Sequence, residues 1–199
     1  MLSSIIGFLA MLNPFALFLY LDPVMRELSD RDFMKVLLNA SLISFGIFLL
    51  FLLIGDAVFV KVFQINFNSF RIFGGIVIFS FAYFFIVKGQ KALIVMKEDL
   101  NDLASEIALP FMVGAGTISL TIMMSHEFSL LKAIIMLFII LFFNYFFILF
   151  LKFFRDMISK RKMKVAFDKN MEILLRVNGF FVGAIGIDLI ITGIKSIFF

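Results

Sequence analysis

Six long apolar runs with few charges dominate the chain: 2–21, 36–60, 70–87, 107–124, 130–151 and 173–194. About 20 such residues suffice to cross a bilayer as a helix, and no connection between the runs is long enough to bury a soluble core. Barrel strands would alternate lipid-facing and lumen-facing residues; Phe45 to Ile54 shows no alternation. The reading is an all-α membrane protein of six transmembrane helices, forming a single integral membrane domain over 1–199. Composition agrees, with 63% hydrophobic and 16% charged residues, where globular domains carry about 25% charged. The first run lacks the basic n-region and small-residue cleavage site of a signal peptide, and is expected to stay as helix 1.

Basic residues set the orientation. The loop after helix 1 carries Arg26, Arg31 and Lys35, and the loop after helix 3 carries Lys88, Lys91 and Lys97. The loop after helix 5 carries eight more, from Lys152 to Arg176, leaving four of the 18 for the opposite side. Short loops rich in Lys and Arg stay in the cytoplasm, so both termini are expected outside it. The net charge of +4 thus follows the membrane and gives no reason to expect nucleic acid. Absence of Cys excludes disulfides and thiolate metal sites, and the lone His126 excludes a multi-histidine site. No metal or cofactor is expected.

Two motif pairs suggest duplication. Leu12-Asn13-Pro14-Phe15 in helix 1 is matched by Ala108-Leu109-Pro110-Phe111 in helix 4. Arg71-x-x-Gly74 opening helix 3 is matched by Arg176-x-x-Gly179 opening helix 6. Three spans per copy means that the copies cross in opposite directions, giving two inverted three-helix repeats, about 1–90 and 106–199, joined by a charged cytoplasmic linker 91–105. Inverted repeats recur in secondary transporters.

A Pro inside a helix loses a hydrogen bond and clashes with the preceding turn. Asn is a strong N-cap, however, and Pro fits the first helical position. Asn13-Pro14 therefore reads as the start of a half-helix near the midplane. Helix 4 has a matching break at Pro110 to Thr117, where Gly114 and Gly116 loosen the backbone and Thr117 or Ser119 supplies a cap. Lipid-exposed irregular backbone is too costly, so both breaks should be buried or line a cavity. Helix N-termini favour an anionic group, and unwound carbonyls around 10–13 and 113–116 suit an ammonium. The substrate-binding candidates are Asn13, Pro14, Pro110, Gly114, Gly116 and Thr117.

The segments LNPFALFLYL, FRIFGGIVIFSFAYF, LPFMVGAGTIS and RVNGFFVGAIGIDLIITGI resemble the MarC family of six-span inner-membrane proteins in order and spacing. The chain departs from that pattern at Gly114-Ala115-Gly116-Thr117, where the family usually reads Gly-Pro-Gly-Ala. The resemblance implies a relative of LysE-type exporters in a bacterial or archaeal cytoplasmic (inner) membrane, with small neutral amino acids such as glycine or alanine as solutes.

Among the remaining polar residues, Asp188 lies inside helix 6, where an ionisable group is costly and suggests proton or ammonium binding. Asp56, near the end of helix 2, is a second candidate. Arg71 and Arg176 enter their spans from opposite sides, and their shared context suits gating or a structural ion pair. Asn39 and Asn144 are expected to bridge helices. Gly179, Gly183 and Gly186 share one helix face and suit close packing. The Lys160-Arg161-Lys162-x-Lys164 cluster suits anionic lipid.

The leading expectation is a secondary transporter of a small polar solute; the alternative is a structural or assembly protein, or a resistance-related membrane protein, without transport activity. An enzyme is not expected, because no zinc-protease, nucleophile-elbow or nucleotide-binding motif occurs. The expected partners are the lipid bilayer and a solute, with a homo-oligomer left open.

Overall fold

The computed structural model describes residues 2–55, 57, 61, 64–88, 99–158 and 160–198. Helix is the regular structure throughout the described residues. The first span is α1 (Leu2–Leu12), α2 (Pro14–Tyr20) and a short α3 (Asp22–Glu27) laid end to end. Then follow α4 (Asp30–Ile54), α5 (Phe67–Lys88), α6 (Leu100–Glu106) with a π-helical segment Ile107–Met112, α7 (Ala115–Glu127), α8 (Leu130–Met157) and α9 (Arg161–Phe198). Five helical segments among the described residues are long and apolar enough to cross a membrane: Leu2–Tyr20, Asp30–Ile54, Phe67–Phe84, Leu130–Met157 and Lys162–Phe198. The remaining expected span, 107–124, is divided between the π segment and α7.

Local chemistry explains where the helices start and stop. The Ser29 hydroxyl accepts the Asp32 N–H at 3.2 Å, and Asp30 and Asp32 complement the positive helix start. These caps begin α4 six residues before the expected 36. Gly55, at φ 49°, ends it; left-handed backbone costs glycine nothing, and most of the rest of the expected span, 56 and 58–60, lies outside the described residues. Asp99 caps α6 by accepting the Asn101 N–H at 2.7 Å. The expected linker 91–105 thus contains helix from residue 100 on, with Leu103 and Ala104 fully buried; residues 91–98 lie outside the described part.

The main core lies between α4 and α8, with α1, α2, α6 and the π segment packed on it. Phe33, Val36, Leu37, Ala40, Ser44 and Phe48 are buried on α4. On α8 the buried set includes Ala133, Met136, Leu137, Ile140, Asn144 and Ile148, the same positions with each number raised by one hundred. The ends of the preceding helices correspond in the same way: the Leu28 N–H bonds Val24 O, the Phe128 N–H bonds Met124 O, and Ser29 and Ser129 stand at the N-cap positions of α4 and α8, Ser29 with a side-chain cap bond and Ser129 without one. Phe138, Phe142, Phe146 and Phe150 face outward from α8, a surface suited to lipid and costly in water.

The α5–α9 pair has its own small core of Ile78, Ala82, Val182 and Leu189. Here the glycine face acts as expected. A Cβ on Gly186 would stand 2.9 Å from Gly75 O, and one on Gly183 would stand 3.3 Å from Ala82 Cβ, so these two meet α5 closely; Gly193, outside the expected face, does so too, 3.0 Å from Asn68 O. Contacts that climb one helix while descending the other make the two antiparallel. Asn39 Nδ2 donates to Asn101 Oδ1 at 3.4 Å, bridging α4 and α6 as expected. Asn144 bridges to no helix among the described residues: both its amide atoms are buried without a partner there.

Candidate functional site

Asn13 interrupts helix 1 by its own backbone. At φ 47°, ψ 69° it occupies the left-handed region, which Asn tolerates better than most residues. Its N–H still closes α1 by bonding Leu9 O at 3.1 Å. Its Oδ1 opens α2 by accepting the Ala16 N–H at 3.1 Å, with Pro14 in the first turn. One residue therefore ends one helix and caps the next, as the Asn-Pro pair suggested. The residue is 3% exposed, and Nδ2 has no hydrogen-bond partner.

The second break is made differently. Leu109 leaves the helical region (φ −120°, ψ 117°) inside the π segment, and the Val113 N–H bonds back to Ala108 O at 2.8 Å. Extended Gly114 then precedes α7. Thr117 is not the N-cap that the sequence suggested, and neither is Ser119. Gly114 stands at the cap, and Thr117, three residues on, reaches back so that its Oγ1 accepts the Gly114 N–H at 2.9 Å. The hydroxyl proton is left for Met112 O at 3.1 Å or Gly114 O at 3.0 Å. A threonine in the first turn can thus satisfy a start that glycine cannot cap. Ser119 is fully buried, and its hydroxyl has no partner.

Gly116 is where the second break meets the rest of the fold. A Cβ there would lie 2.1 Å from Ile78 Cδ1 on α5 and 2.3 Å from Met11 Cε on α1. No side chain fits without displacing both. Next to this contact lies a cavity of about 100 Å³. Asn13, Gly114, Gly116 and Thr117 line it, joined by Tyr20 of α2 and Met112. The two breaks, far apart in sequence, thus share one chamber. Its walls are otherwise apolar and come from α1, α2, α5 and α9.

The other candidates stand elsewhere. Pro14 is buried at the start of α2 but is not part of the lining. Pro110 belongs by backbone to the π segment; its side chain lies outside the described part. Arg71 stacks over the Phe67 ring at 5.3 Å and donates to Asn68 Oδ1 at 3.4 Å. Arg176 pairs with Glu172 at 2.8 Å on an exposed stretch of α9. Asp188 is exposed on α9. None of the three lines the cavity. Asp56 lies outside the described residues.

Sequence reasoning missed Tyr20 as a lining residue, and it missed Lys152 and Arg155, which it counted only as loop charges. Both are buried at the end of α8 among carboxylates. Their signal was present in ILFLKFFRDM, where two cations three residues apart sit inside an apolar run. Cations there need partners.

A family model described as "MarC family integral membrane protein" matches residues 1–198. Among curated proteins, the chain is similar to a UPF0056 membrane protein of Pyrococcus horikoshii, 25% identical over 98% of this chain and 94% of the relative. It is similar to one of Buchnera aphidicola, 29% identical over 95% and 89% of the two lengths. The UPF0056 membrane protein YhcE of Escherichia coli is 27% identical over 97% and 91%. No solved structure matches the chain.

Proposed function

The chain belongs to the MarC family of integral membrane proteins, and on that premise we propose that it is a secondary transporter of a small polar solute, with small neutral amino acids such as glycine and alanine as the first candidates. One observation carries the proposal. A single chamber is lined by residues of both helix breaks, among them Asn13, whose amide nitrogen is buried with no hydrogen-bond partner among the described residues. A buried donor left unmade costs about 1–3 kcal/mol. A solute carboxylate or carbonyl beside it removes that cost. The α7 start favours the same negative group, while the lack of an acidic lining residue disfavours a cation. Discontinuous helices around a shared chamber are how many transporters build a midplane site.

The architecture that goes with this reading has six crossings in two inverted repeats, in the cytoplasmic membrane, with both termini outside the cytoplasm. The burial pattern of α4 recurring on α8, and the helix ends that recur with it, support the duplication. The basic loops after the first, third and fifth crossings support the orientation. In this frame α6, the π segment and α7 together form the fourth crossing.

The test is uptake of glycine, alanine and serine by proteoliposomes carrying wild type, Asn13→Ala or Gly116→Leu. Wild type should accumulate or equilibrate at least one of the three, Asn13→Ala should do so with lower affinity, and Gly116→Leu should be inactive. A scaffold without a transport site would give no uptake with any of them.

A further inference from the structure

The basic end of the molecule holds an ion-pair network, two buried cations among partly exposed carboxylates, that the cavity itself does not use. Arg155, near the end of α8, has a side chain only 7% exposed. Its Nε and Nη2 donate to the two carboxylate oxygens of Asp168 on α9, at 2.6 and 2.8 Å. Its Nη1 lies 2.8 Å from Asp22 Oδ1 at the start of α3, an ion pair by distance without hydrogen-bond alignment. Three residues earlier, Lys152, 4% exposed, pairs with Asp30 of α4 and with Asp156. Two cations on α8 therefore tie together the starts of α3 and α4 and the first third of α9.

The position of this network relative to the chamber gives it meaning. One wall of the chamber runs along α2 through Asn13, Ala16, Leu17 and Tyr20, and Asp22 follows Tyr20 by two residues. Another part of the lining belongs to the α5–α9 pair, through residues such as Ile78 and Val182. Helix α9 is continuous from Arg161 to Phe198, so a shift at Asp168 is carried along the rod to Val182. The close approach of Gly75 to Gly186 makes α5 follow. The pair has its own small core, and α9 also meets the main core through Met171 and Leu175, contacts that a rigid-body shift of the pair against the main body would have to repack. Beside the ion pair, Phe18 and Phe167 meet edge to face at 6.0 Å between ring centres, an apolar contact that such a motion would part.

We propose that Arg155 is the latch of a gate at the end of the chamber that the charge distribution assigns to the cytoplasm. Paired with Asp22 and Asp168 together, it holds α9 against the broken helix and closes that end. Loss of either pairing lets α9, with α5, swing away and admits water from that side. A guanidinium suits the task because its planar fork serves two carboxylates at once, whereas an ammonium is a point charge. Ion pairs of this kind add little net stability, so the contact can open at small cost, as a two-position contact requires. The latch rests on the reading of the chamber as a solute path, yet it can be tested without a solute.

The chain has no Cys, so Ala16→Cys places a single thiol reporter in the chamber wall. Its alkylation by a membrane-impermeant maleimide is followed in vesicles that expose the basic face, and Ala133→Cys, in the α4–α8 core, reports loss of fold. With the native latch the Ala16→Cys rate should be low. Asp168→Asn, which keeps the carboxylate's shape, and Arg155→Lys, which keeps the charge, should each raise it at least tenfold while Ala133→Cys stays unreactive. Unchanged Ala16→Cys rates in both variants would overturn the latch. So would a parallel rise at Ala133→Cys in both, since Arg155 would then hold the whole fold and no gate. Failure of the amino acid uptake test leaves this readout untouched, so the two readings fall separately.

Discussion

Asn13 Oδ1 accepts the Ala16 N–H at 3.1 Å, while the nitrogen of the same amide, equally buried, bonds to nothing. One half of the side chain is thus committed to the fold, and the other half is a buried donor left unpaired among the described residues. The two halves are separable by mutation.

Asn13→Ala removes the cap and places a Cβ-bearing residue without a helpful side chain in left-handed backbone. The combined loss should be about 1–3 kcal/mol. Asn13→Gly keeps the backbone comfortable and should cost less than about 1 kcal/mol, yet it removes the same amide donor. Denaturation of the purified protein should rank wild type, Gly, Ala in falling stability. Solute affinity should instead drop equally in both variants. If affinity tracks stability, the amide acts only as a cap.

Thr117→Val keeps the shape and removes the hydroxyl that receives the Gly114 N–H. A backbone donor in a part-buried site is left unpaired, and the loss should be about 1–3 kcal/mol. Thr117→Ser restores the oxygen and should recover most of it. Equal melting of the Val and Ser variants would show that the hydroxyl does not hold the α7 start.

The glycines should separate by what stands next to them. Gly75→Ala drives a Cβ into Gly186 O at 2.5 Å, backbone that cannot rotate away, and should cost about 1–3 kcal/mol. Gly46→Ala in α4 meets nothing within 4 Å and should gain about 0.5–1 kcal/mol from helix preference. Opposite signs in thermal or denaturant unfolding are expected; a common sign would mean that α5 and α9 do not approach so closely.

Orientation is open to a direct check. Ser3→Cys should react with an impermeant thiol reagent in intact cells, and Lys162→Cys should react only after the membrane is opened. The reverse pattern would invert the assignment of the basic loops to the cytoplasm.

The apolar runs alone determined that this chain crosses membranes as helices, because backbone groups in lipid must be satisfied within their own segment. Local signals of a few residues were equally legible. Asn13-Pro14 marks a helix start, as a cap, a fixed φ and a missing N–H all act within one turn, and the paired glycines mark a break. Roles that depend on distant partners were not legible. Thr117 looked like a cap until the fold showed Gly114 in that position and the hydroxyl reaching back to it. Gly116 shows no reason of its own to be glycine until Met11 and Ile78 are packed against it. Arg155 was one basic residue among eight, and only tertiary structure brings Asp22 and Asp168 to it from both sides. Hydrophobicity and capping act through a residue's immediate neighbours and are written in order along the chain. Ion pairing and close packing act through space, so their partners exist only once the helices have been brought together.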